Sequence, residues 1–253
     1  MTNFRVGTVE TGAVTIAYRT AGAAGAPPVV LLHGGGSRGA TTWNAFLPAL
    51  AEAGFRGIAL DLRGHGGSSR TGDYPLRGFR DDVIATLDAL GIEAAALVGH
   101  SLGAYTATLV AQERPERVTR LVLEDPPAPS ATGETQALPA WKLALPALVT
   151  LFQRGGFDRR ALTEVVRQLR EPDPGWWERI PLITAPTLVI GGGPRSHVSP
   201  ERLASLAAAL PDGRLITIPA GHRVHSTRPV EFQEAVIPFL TERQGPPGRR
   251  RAA

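Results

Sequence analysis

In Val98-Gly99-His100-Ser101-Leu102-Gly103-Ala104-Tyr105 one serine stands between two glycines, straight after an apolar run. A serine hydroxyl attacks a carbonyl only when a base takes its proton, and the attack creates an anion that needs donors close by. Ser101 lies between the apolar run 96–98 and the helical pattern 104–113, so the chain must reverse sharply there. Such a turn forces sparsely allowed backbone angles, a strain of about 1–3 kcal/mol that packing must offset. Glycine at 99 and 103 removes side chains that would collide with the turn or the next strand. The hydroxyl is then held at a sheet edge, with the Leu102 amide beside it and the positive end of a helix behind it.

A second glycine cluster, Leu31-Leu32-His33-Gly34-Gly35-Gly36, also follows an apolar run and lets backbone approach a ligand closely. A phosphate cradle would end in Lys-Ser/Thr, which Ser37-Arg38 does not supply. Six histidines (His33, His65, His100, His197, His222 and His225) are possible bases, because a neutral imidazole can take the serine proton and return it. The run Leu121-Val122-Leu123 ends in Glu124-Asp125. Period-two alternation sends these carboxylates to opposite faces, so only one can face a given histidine.

The elements that must position these groups can be read from the pattern. Phe4–Glu10 and Val14–Arg19 alternate around Thr11-Gly12-Ala13 and predict an opening hairpin. Short apolar runs then recur at 29–32, 57–60, 96–98, 118–123, 187–190 and 214–218, as suits strands covered on both faces. Helical spacing predicts helices over 43–53, 79–90, 104–113, 200–210 and 230–243. This alternation predicts a parallel-sheet α/β fold. Residues 126–180 break the rhythm with prolines, Trp141, Trp176, Trp177 and helical stretches near 141–154 and 159–169. An insertion at a strand's carboxyl end lies over the ligand crevice, so a small helical cap is expected, with tryptophans buried in the core as the alternative.

The 253 residues are 43% hydrophobic and 20% charged, with no cysteine, which excludes disulfides, zinc–thiolate sites and cysteine nucleophiles. The net charge of +4 owes much to Arg249-Arg250-Arg251, and no basic stripe marks a nucleic-acid face. Residues 246–253 are expected to be a disordered basic tail. No apolar stretch is long enough to cross a bilayer and the N-terminus has no signal core, so a cytoplasmic location and no membrane partner are expected.

Gly99-His100-Ser101-Leu102-Gly103 fits G-x-S-x-G, and with the strand-helix placement it resembles the nucleophile elbow of the α/β-hydrolase family. His33-Gly34-Gly35-Gly36 resembles that family's oxyanion loop, which implies the amides of Gly35 and Leu102 as anion donors. Asp61-Leu62-Arg63-Gly64-His65-Gly66-Gly67-Ser68 resembles its D-x-R-G-x-G-x-S segment, which implies a structural role and makes His65 a poor base. Gly221-His222-Arg223-Val224-His225, followed by Pro229 and Phe232, resembles the closing motif whose first histidine is the base, here His222. Most family members carry the acid after the strand matching 187–190, but residues 191–200 hold no carboxylate. Some relatives place it one strand earlier, which implies Asp125 rather than Glu124 and gives the order Ser101, Asp125, His222.

The resemblance therefore implies a mostly parallel central sheet flanked by helices, with 1–125 and 181–245 as core and 126–180 as cap. It implies a serine hydrolase that cleaves a carboxylic ester or lactone through an acyl-enzyme, with no cofactor and a small-molecule substrate. Carbon–carbon bond hydrolysis, perhydrolysis and a catalytically silent receptor of the same fold stay open. Gly34, His100 and the tryptophans Trp141, Trp176 and Trp177 are the expected substrate contacts, on an apolar or aromatic molecule. The oligomeric state is not legible.

Overall fold

A computed structural model describes residues 4–12, 14–131 and 156–242. Strands β1 (Arg5–Thr11) and β2 (Val14–Ala21) form the expected antiparallel hairpin, with Thr11 facing Val14 across the turn. Then come β3 (Pro28–Leu32), β4 (Arg56–Leu60), β5 (Ala95–His100), β6 (Val118–Glu124), β7 (Thr187–Gly191) and β8 (Gly213–Thr217). The sheet has eight strands in the order β1-β2-β4-β3-β5-β6-β7-β8, parallel from β4 through β8. The apolar runs proved to be β3 to β8: β3 through β7 are almost wholly buried, as strands covered on both faces should be, whereas the edge strand β8 is largely exposed.

One face packs Val30, Leu32, Leu97 and Leu121 against α2 (Leu76–Ala89) and α3 (Leu102–Glu113). The other packs Val29, Leu31, Val98 and Val122 with α1 (Phe46–Glu52) and, through Phe232 and Phe239, the last helix. The predicted helix from Trp43 starts later, because Ala40–Trp43 is a 3-10 turn that seats the indole in the core. Helix α3 is buried along nearly its whole length, and its alanines and threonines allow that close approach.

In the segment between β6 and β7, α4 (Arg159–Gln168) and α5 (Pro174–Arg179) are described. The predicted helix near 141–154, with Trp141, lies outside the described residues, as does the basic tail. Asp158 and Asp173 cap these helices by accepting the amides of Arg160 and Trp176. Helix α4 docks on the loop before α2, where Tyr74 donates its hydroxyl to Asp158 at 2.7 Å and its amide to Glu164 at 2.9 Å. Helix α6 (Pro200–Ala209), the short α7 (Val224–Thr227) and α8 (Pro229–Thr241) complete the described chain. Among the described residues no helix is long and apolar enough to cross a membrane.

Trp176 corrects the expectation of a pocket wall. Its ring is fully buried, stacks on Tyr105 at 5.7 Å and donates its indole N–H to Thr108 at 3.0 Å. Trp177 stands edge-on to it and donates to the Pro129 carbonyl at 2.8 Å. Trp176→Ala is therefore expected to cost about 3–5 kcal/mol of stability in urea titrations, as for other buried aromatic rings. A loss under about 0.5 kcal/mol would place the ring at a surface.

Candidate active site

Three loops at the carboxyl ends of the parallel strands meet at one place. Ser101 follows β5 with φ 51° and ψ −115°, left-handed angles that a side chain tolerates poorly. The flanking glycines explain how the chain holds it. A Cβ on Gly99 would stand 2.4 Å from the Gly103 carbonyl oxygen, and one on Gly103 would stand 2.1 Å from that of Leu32. The Ser101 amide donates to the Glu124 carbonyl at 2.9 Å, which ties the elbow to the end of β6.

Asp125 is fully buried, with φ 48°. One carboxylate oxygen accepts the Gly192 amide at 2.9 Å. The other accepts the Ser196 hydroxyl and His222 Nδ1–H, the latter at 2.9 Å. A carboxylate on Nδ1 holds the proton there and leaves His222 Nε2 bare, the form a general base needs. His222 keeps 22% of its side chain exposed, whereas Asp125 keeps none. The acid–base pair is thus formed. Among the described residues no hydrogen bond joins the Ser101 hydroxyl to His222. Such catalytic contacts are commonly long until substrate tightens them.

Glu124 faces the other way, as strand alternation requires. It accepts His225 Nδ1–H at 2.7 Å and the His225 amide at 3.0 Å, and both side chains are buried. His225 Nε2 contacts the Thr42 hydroxyl at 3.1 Å. This second pair pins the start of α7, three residues beyond His222.

The glycine loop expected to bind the oxyanion, residues 33–36, is oriented by two buried histidines. The Leu62 amide donates to His33 Nε2 at 3.0 Å, so the ring's proton is on Nδ1 and is donated to the Gly34 carbonyl at 2.9 Å. That carbonyl and the Gly35 amide belong to one peptide plane, so His33 fixes the direction of that amide. His65 is fully buried, with its ring nitrogens 2.9 Å from the Gly35 carbonyl and 3.0 Å from that of Arg63. The rest of the Asp61–Ser68 segment is structural, with Asp61 accepting the Gly67 amide at 2.8 Å and Arg63 gripping Asp82 at 2.6 and 2.7 Å.

His100 and Gly34 were expected at the substrate surface, but both are buried. His100 Nε2–H donates to the His222 carbonyl at 2.7 Å, and its bare Nδ1 has no partner. A Cβ on Gly34 would stand 2.7 Å from that nitrogen and 3.3 Å from Ser101 Cβ. His100 therefore positions the His222 backbone, and Gly34 leaves room for that ring. Sequence reasoning missed Ser196, Leu162 and Arg223. Leu162 on α4 approaches a Cβ placed on Gly35 at 3.5 Å and forms an apolar wall. His197 lies over His222 with ring centroids 3.8 Å apart. A hollow of about 440 Å³ near Pro28, Arg56 and Ala94 lies at the amino ends of the strands, the opposite edge from Ser101.

A profile described as alpha/beta hydrolase fold matches residues 27–152. The chain is 30% identical to the mouse sn-1-specific diacylglycerol lipase ABHD11 over 260 residues, covering 85% of this chain and 81% of that protein. The crystal structure of a hydrolase from Pseudomonas aeruginosa PA01 superposes with a TM-score of 0.77 at 29% identity, covering 95% of this chain and 99% of that one. The enol-lactonase from Burkholderia xenovorans LB400 superposes with a TM-score of 0.78 at 24% identity, covering 93% and 100%, and shows likeness of fold.

Burial holds the pKa of His33, His65 and His100 below the ordinary 6.5, for His33 and His100 well below it. For His33 burial is reinforced by charge on His65; for His100, by charge on His222 and His225. The unfolded chain binds these protons below about pH 6.5 and the folded chain does not, so stability falls as pH drops from there towards the folded values. The slope is about 1.4 kcal/mol per pH unit for each histidine. Urea midpoints between pH 7.5 and 5 check this, and a flat midpoint across that range contradicts it. Gly103→Ala is expected to destabilise by more than about 3 kcal/mol, read in the same assay, because the new methyl meets backbone rather than a movable side chain.

Proposed function

The chain belongs to the α/β-hydrolase fold family, and from that premise we propose that it is a serine hydrolase acting on a carboxylic ester or lactone of a small, partly apolar molecule. The carrying observation is the buried Asp125 bonded to His222 at 2.9 Å, one strand from the strained Ser101. In this reading Ser101 Oγ attacks the acyl carbon while its proton passes to His222 Nε2. Asp125 stabilises the imidazolium without taking its proton. The amides of Gly35 and Leu102 receive the developing oxyanion, each worth roughly 3–4 kcal/mol in comparable sites. His222 then protonates the leaving alcohol, and the C–O bond breaks to leave an acyl-enzyme. Water, deprotonated by His222, attacks that acyl carbon; the acid product departs and Ser101 regains its proton. The chemistry calls for no metal or organic cofactor.

The diacylglycerol lipase among the relatives supports an ester bond, and Leu162 beside Gly35 supports an apolar portion in the substrate. The open link between Ser101 and His222 is the observation that favours a silent binding protein instead.

A fluorophosphonate probe separates the two, because an activated Ser101 labels covalently and an idle one does not. Wild type is expected to label and to hydrolyse members of a panel of 4-nitrophenyl esters and aromatic lactones, and Ser101→Ala to do neither while staying folded. Asp125→Asn is expected to lower kcat by about 10⁴-fold through the wrong histidine tautomer. Glu124→Gln acts mainly on stability. The reverse order of effects would move the acid to Glu124, and a wild type that neither labels nor turns over would support the receptor.

A further inference from the structure

Arg223 directly follows His222 and is exposed. One guanidinium nitrogen lies 3.9 Å from where a Cβ on Gly36 would stand, so the charged group rests against the oxyanion loop. Gly36 is itself partly exposed, which leaves this face open to a ligand. The positive charge reaches into the site: it is among the charges that disfavour protonation of His100.

Some arginines of the fold are held by carboxylates. Arg63, Arg80, Arg117, Arg167, Arg214 and Arg228 each pair with an aspartate or glutamate. Among the described residues the Arg223 guanidinium has no such partner. The acids at this end of the sheet are committed, Asp125 to Gly192, Ser196 and His222, and Glu124 to His225. Two further arginines share the rim. Arg38 follows the same loop and packs its stem on Gly156. Arg195 donates to the Pro219 carbonyl at 3.1 Å, close to the His222 loop. One guanidinium with no carboxylate partner among the described residues thus sits beside the loop to which the proposed mechanism assigns the oxyanion.

We infer that Arg223 is a specificity residue that binds an anionic group of the substrate, a carboxylate or a phosphate, close to the scissile bond. This rests on the serine-hydrolase reading and names its substrate class as esters carrying a negative charge. A planar guanidinium suits either anion, because its N–H donors pair with two oxygens at once.

Two matched substrate pairs test it. Mono-4-nitrophenyl glutarate is compared with 4-nitrophenyl pentanoate, which replaces the carboxylate by a methyl. A butyryl ester of glycerol 3-phosphate is compared with butyrylglycerol. Wild type is expected to prefer the anionic member of at least one pair in kcat/KM, and the pair that shows it identifies carboxylate or phosphate. Arg223→Gln is expected to lower that preference about tenfold, chiefly through KM, with Arg223→Lys intermediate. The wild-type preference should shrink in about 0.5 M salt. Titrating the four esters into Ser101→Ala protein, with and without Arg223→Gln, reads the same recognition without turnover, so failure of the chemistry and failure of the inference stay apart. Equal binding of charged and neutral members, or a preference that survives Arg223→Gln, overturns the inference.

Discussion

Asp125 is a carboxylate removed from water. Burying an unpaired carboxylate costs several kcal/mol, so it is tolerated only when donors replace the lost hydration. Three are present: the Gly192 amide, the Ser196 hydroxyl and His222 Nδ1–H. They come from the loops after β7 and β8, while Asp125 itself ends β6. One side chain therefore ties the ends of three strands together. Its φ of 48° adds strain that these bonds hold in place. Ser101 is the other non-glycine residue with positive φ among the described residues, and it follows the neighbouring strand. The backbone strain is concentrated where the proposed chemistry needs two side chains aimed.

Adjacent residues at the end of β6 serve two histidines. Glu124 and His225 form a pair buried on both sides, whereas His222 keeps part of its ring exposed. That difference in exposure, more than hydrogen bonding, separates the histidine proposed as base from one that fixes a loop. The buried pair holds α7, His100 holds the His222 carbonyl, and Asp125 holds the His222 ring. His222 is constrained at three points before any ligand arrives, which would lower the cost of reaching the geometry that the proposed chemistry needs.

The strands and most helices were legible because apolar runs and helical periods are local properties. The elbow was legible for the same reason: a serine needing positive φ between two glycines declares itself within five residues. Strand alternation alone said only that Glu124 and Asp125 face opposite sides; the choice of Asp125 came from the resemblance to relatives that carry the acid one strand earlier. The remaining site residues depend on contacts far apart in the chain. Ser196 reaches Asp125 across 71 positions, and His100 reaches the His222 carbonyl across 122. Nothing near Ser196 marks it, except that its loop is the one lacking a carboxylate. Trp176 was misplaced because an aromatic residue in an insertion reads alike whether it lines a pocket or, as here, stacks on Tyr105 in the core.

Ser101, His222 and Asp125 are proposed to act as one unit, and the hydroxyl-to-imidazole contact is the link that a bound substrate must complete. A crystal structure of the protein with a phosphonate covalently bound to Ser101 tests it most directly. The account predicts a phosphonyl oxygen within hydrogen-bond reach of the Gly35 and Leu102 amides, and His222 Nε2 about 3 Å from an oxygen on the phosphorus, with Asp125 still on Nδ1. A phosphonate attached elsewhere, or a His222 ring turned away from the adduct, would contradict it.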